Sequence, residues 1–77
     1  MKLEHIHSDP AILGGKPCIK GTRISVELIL ETIANGASVA DIVHEFPKLS
    51  TEAVQEAILY AVSVLRDEIV VEVKSVA

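Results

Sequence analysis

Seventy-seven residues, 49% of them hydrophobic, with one cysteine and a formal net charge of −4, allow one domain at most and exclude a disulfide framework. No apolar run approaches the ~20 residues that cross a bilayer, and Glu4, His5, His7, Ser8 and Asp9 interrupt the N-terminal apolar stretch, unlike a secretory signal. A lone thiol without such a signal fits a reducing, cytoplasmic setting.

In chain order, residues 3–8 (LEHIHS) partly alternate apolar and polar and predict a short strand. DPAILGG follows as turn and loop, and PCIKGTRI reads as a second extended segment interrupted by Gly21. Together they predict a short N-terminal β-hairpin, which needs helices or another chain beneath it, because two strands alone are not stable. From Ser25 the period changes: Val26, Ile29, Leu30 and Ile33 share one helical face behind a Ser25 N-cap. Asn35-Gly36 is a stop signal. Ser38 with Asp41 three residues on predicts a capping box, opening a short helix that buries Val39, Ile42, Val43 and Phe46 and ends at Pro47. Ser50 or Thr51 caps a third helix, with Glu52 in its first turn. Its expected buried stripe is Val54, Ala57, Ile58, Ala61 and Leu65, and it runs to about Asp67. The uncharged, apolar stretch at residues 57–65 fits a buried helix. The fold class is therefore mainly α. It is a three-helix, helix-turn-helix-like (homeodomain-like) bundle with a hairpin arm at 3–24, a helical core at 25–67 and an apolar tail at 68–77.

A chain this short buries only about 60% of its surface, yet its mean hydropathy is +0.42. That mismatch predicts a homodimer or an obligate partner. Charge is divided unevenly. Residues 1–24 carry four bases against two acids, and residues 25–77 three bases against nine acids. Lys16, Lys20 and Arg23 form the concentrated basic patch and are the candidate contacts for DNA or a partner, together with Gln55 on the third helix. An ion pair with a carboxylate of this chain or a second one is the plainer use of the Arg23 fork. The acid pairs Glu27–Glu31, Asp41–Glu45 and Glu52–Glu56 stand at i, i+4 and read as a solvated face, or as a surface for a basic partner.

Chemistry-bearing residues are few. Gly14-Gly15 lacks the spacing and the Lys-Ser/Thr ending of a phosphate loop, so a turn with positive φ is the ordinary reading. Gly21 marks a bulge or a close approach of another backbone, and Thr22 is expected to bond locally to the turn. His5 and His7, with Cys18 or His44, have no zinc-site spacing. Cys18 has basic neighbours in sequence but no evident base, so it reads as a strand cysteine. No catalytic, cofactor or metal site is expected, and the chain reads as a non-enzyme.

The segments GGKPCIKGTRISVELIL and ANGASVADIVHEFPKLSTEAVQEAILYA resemble a prokaryotic family, the domain of unknown function four-three-three, over about residues 9–62. The motif positions are Gly14, Gly15, Pro17, Ile19, Gly21, Thr22, Arg23 and Ile24. The resemblance implies a small helix-turn-helix-like antitoxin that binds and neutralises a PIN-like ribonuclease toxin and represses its own promoter. Gln55 and Glu56 depart from the basic or alanine-rich surface expected there. The alternatives are a DNA-binding regulator without a toxin and a structural dimerisation module. Two carboxylates, Glu52 and Glu56, at the leading face of the third helix would be the wrong sign for phosphate contact.

Overall fold

A computed structural model describes residues 3–67. Two strands, β1 (Ile6–His7) and β2 (Cys18–Ile19), pair antiparallel with Ile6 opposite Ile19 and His7 opposite Cys18. A tight turn at Leu13–Gly15, whose three residues have φ +50, +67 and +89, lies between them. Helices α1 (Val26–Ala34), α2 (Val39–Glu45) and α3 (Thr51–Asp67) follow. The mainly α bundle with a short hairpin arm is thus the architecture of the chain. The apolar tail at 68–77 lies outside the described residues.

The second extended segment is itself folded back. Ile19 N–H donates to the Ile24 carbonyl at 3.0 Å and Val26 N–H to the Pro17 carbonyl at 2.9 Å, so residues 24–26 run beside β2. β2 is therefore central, with β1 on one side and the entry to α1 on the other. The reversal is a tight turn closed by Thr22 N–H on the Ile19 carbonyl, 3.1 Å. Its third position, Gly21, has φ +77, which favours glycine in such a turn. No atom lies within 4 Å of where a Gly21 side chain would start, so turn geometry, and not close backbone approach, accounts for this glycine. The Thr22 hydroxyl bonds locally as expected, donating to the Ile19 carbonyl at 2.9 Å and accepting from Ile24 N–H at 3.0 Å.

The helix ends follow the local chemistry. Ser25 Oγ accepts from Leu28 N–H and Ser50 Oγ from Ala53 N–H, at 3.0 and 3.1 Å. Ser38 and Asp41 form the reciprocal capping box. Its Ser38 backbone and hydroxyl bonds hold the Asp41 carboxyl below its ordinary range. At the end of α1, Gly36 N–H bonds the Ile33 carbonyl and Ala37 N–H the Thr32 carbonyl, a complete Schellman motif. Gly36 has φ +104. Gly36→Ala is therefore expected to cost about 1–2 kcal/mol in urea unfolding despite the open space beside it.

Ile6, Ile19, Val26, Ile29, Ile42, Leu49, Ala53, Val54 and Ala57 make the core. α3 packs on both shorter helices and carries β1. The small residues Ala53 and Ala57 on α3 leave room for that close packing. The stripe expected on α3 holds only in part. Val54 and Ala57 are fully buried, Ile58 and Ala61 half-buried, and Leu65 is 65% exposed. The reason is length: at ~1.5 Å per residue α3 extends ~25 Å, and its last turns outrun the elements that cover its first.

Candidate functional site

Three features stand out on this frame. The first is the C-terminal half of α3. Residues 58–65 (ILYAVSVL) carry no charge, and the Ser63 hydroxyl is satisfied locally by the Tyr60 carbonyl at 2.8 Å. A helix apolar on all sides belongs in an interior. Here Leu59 is 55% and Val62 37% exposed. Between this half of α3 and α1 lies an open groove of about 550 Å³. Val26, Leu30 and Ala34 form one wall, Tyr60, Ala61, Val64 and Leu65 the other, with Pro17 at one side. Those α3 positions continue the face that buries Ala53, Val54 and Ala57, so the groove is the core running on without a cover. Glu27 and Glu31 also line it.

The second feature is a carboxylate clamp. Glu56, expected on a solvated face, is instead turned against the N-terminal arm, its side chain only 11% exposed. Oε2 accepts from the backbone N–H groups of Glu4, His5 and Ile6 at 3.0, 2.6 and 2.9 Å. Oε1 takes a second contact from Glu4 N–H at 3.1 Å and faces His5 Nδ1 at 3.2 Å. Three successive N–H groups around one anion form a nest. Burial pushes this carboxyl up, but the N–H groups of His5 and Glu4, the His5 ring and the Ile6 N–H outweigh it, taking it from 4.5 to about 2. The sequence signal was slight: Glu56 stands between Ala53 and Tyr60 at the border of the buried stripe. The clamp also takes up the Ile6 N–H at the start of β1, a group that would otherwise stand unpaired there.

The third feature concerns the basic residues. Lys16, held extended by the following proline, ion-pairs with Glu27 on α1 at 2.9 Å, which raises its already high pKa. Both side chains are well exposed, so this pair contributes little to stability. Arg23 makes no ion pair among the described residues. It lines a separate groove of about 520 Å³ with Ile12, Gly21, Thr22, Ile24 and Lys48. Lys48, from the turn between α2 and α3, escaped the sequence reading because it lies 25 positions from Arg23. Lys20 and Gln55 are exposed, as are Thr51 and Glu52 at the start of α3. Of the two carboxylates expected on that leading face, only Glu52 remains, because Glu56 is committed to the arm.

Cys18 is 1% exposed and its thiol donates to the Lys16 carbonyl at 3.2 Å, so it is packed away from any substrate. His7 has an enclosed Nε2 without a partner among the described residues, and His5 is engaged by Glu56. Among the described residues no three His, Cys, Asp or Glu side chains gather as a metal site. Nor is any helix there long and apolar enough to cross a membrane.

Comparison with known proteins places these features in a family. The uncharacterized protein y4eO of Sinorhizobium fredii is 38% identical over 58 residues, which is 75% of this chain. The aligned region is only 26% of that longer protein. No solved structure matches. Residues 6–61 match the family model described as protein of unknown function (DUF433), covering β1 through most of α3. The chain belongs to the DUF433 family.

Proposed function

We propose that this chain is a non-enzymatic, cytoplasmic binding module of the antitoxin kind, which occupies a PIN-like ribonuclease toxin and regulates its own expression through DNA. The uncovered, uncharged end of α3 with its acid-lined groove is the observation that carries this reading. An apolar groove between helices suits an amphipathic segment laid across it. Glu31 at its margin, beside a Glu27 already paired with Lys16, favours a segment flanked by lysine or arginine. A ribonuclease must hold a polyanion, so basic surface near its active site is what such a carboxylate margin would meet.

The test is co-expression with the protein encoded by the neighbouring gene. The two are expected to co-purify, with the partner's ribonuclease activity silenced in the complex. Leu30→Asp with Val64→Asp is expected to abolish capture while the isolated chain keeps its helical circular dichroism. A neighbour unlike a ribonuclease, or one that does not co-purify, sinks the antitoxin reading. The uncharged stretch on α3 also supports a homodimer, since it offers apolar surface on more than the groove side. Light scattering at micromolar concentration that gave only the 8.3 kDa monomer would remove that part.

A further inference from the structure

We propose that the groove between the turn at residues 20–23 and the α2–α3 turn holds a phosphate of duplex DNA, with Arg23 and Lys48 as its two cationic arms. The two side chains come from turns far apart in sequence and line one groove. Neither is ion-paired among the described residues, although acids outnumber bases by 11 to 7 in the chain. Lys16, by contrast, is occupied by Glu27. The backbone adds to the cationic pair. The N–H groups of Gly21 and Arg23 donate to no protein group among the described residues, while their neighbours Lys20, Thr22 and Ile24 all do. Gly21 has open space where a side chain would stand, so an oxyanion can approach the turn closely.

Placement argues for a nucleic-acid phosphate. Lys48 lies two residues before Ser50, the N-cap of α3, whose first turns expose Thr51 and Gln55. A phosphate held there would set α3 beside the duplex with Gln55 facing outward, in the order helix, turn, helix in which such a reader docks. Withdrawal of Glu56 into the arm removes one of the two charges that would oppose this approach. Arg23 supplies a planar fork and Lys48 a point charge, the two usual ways of meeting a phosphate.

This site rests on the DNA-binding part of the proposed function and not on the toxin part. The experiment is a salt titration of labelled, mixed-sequence duplex DNA followed by anisotropy, with the full chain alone. Arg23→Ala and Lys48→Ala are each expected to weaken binding about threefold or more at low salt. Each is also expected to reduce the slope of log K against log salt by about one. Lys16→Ala is expected to match the wild type in both. All three positions are exposed, so circular dichroism should stay unchanged. Wild-type binding that Arg23→Ala and Lys48→Ala leave unaltered overturns this site while DNA binding stands. Absence of salt-sensitive binding by the wild type overturns both.

Discussion

Glu56→Gln is expected to lower stability by about 3 kcal/mol at neutral pH and to flatten the acid limb of the stability profile. Glutamine has nearly the shape of glutamate, so the change isolates charge. Three backbone N–H groups on Oε2 and the His5 ring on Oε1 now bond a carboxylate, and bonds to a charged acceptor are about twice as strong as neutral ones. The amide also turns an NH2 toward donors. For a chain of this length the total is about 4–12 kcal/mol, so the loss would be a large share. The pH dependence follows from the depressed carboxyl, about 2 in the folded chain against an ordinary 4.5. Its stabilisation is complete above pH 4.5, declines as pH falls through that window and is gone below about 2. Asp41, also depressed, adds in the same direction. Urea unfolding at a series of pH values should therefore show the wild-type and Glu56→Gln curves converging toward pH 2. Parallel curves would mean that the charge of Glu56 contributes nothing.

Ile42→Ala should have a comparable effect for a different reason. Ile42 is 1% exposed and is the one fully buried residue of α2. Seven residues do not hold a helix in water, so α2 depends on that anchor against α3. Truncation removes three methyl or methylene groups and leaves a cavity, a change that costs about 2–5 kcal/mol. Leu65, although an aliphatic residue on the same apolar side of α3 as the buried stripe, is 65% exposed. Leu65→Ala should leave the isolated chain almost unchanged. Paired urea titrations of the two variants check both statements, and an Ile42→Ala loss below about 1 kcal/mol would show that α2 is anchored elsewhere.

Local signals located every helix. Ser25, the Ser38–Asp41 pair and Ser50 act on N–H groups three positions away, and Asn35-Gly36 on carbonyls of the preceding turn. Such contacts are set by neighbours in sequence, so they can be read from it. The family motif was less legible: PCIKGTRI reads as one extended segment, and only the structure shows Gly21 and Thr22 shaping a tight reversal that folds it back along β2. The groove on α3 was half legible. The uncharged run at 57–65 announced a helix needing cover on all sides, but only the packed lengths of α1 and α3 showed which part goes uncovered.

The long-range pairings had no local sign. A glutamate four residues after another looks the same whether it faces water or three N–H groups 50 positions away. Lys16 and Lys48 are likewise indistinguishable until the fold sends one to Glu27 and brings the other beside Arg23. The amino-acid sequence by itself determined the helices, their caps and the excess of apolar surface, because each depends on residues a few positions apart or on composition alone. Only the tertiary structure decided which charges are spent inside the molecule and which are left to face a ligand, because that depends on which distant segments the core brings into contact.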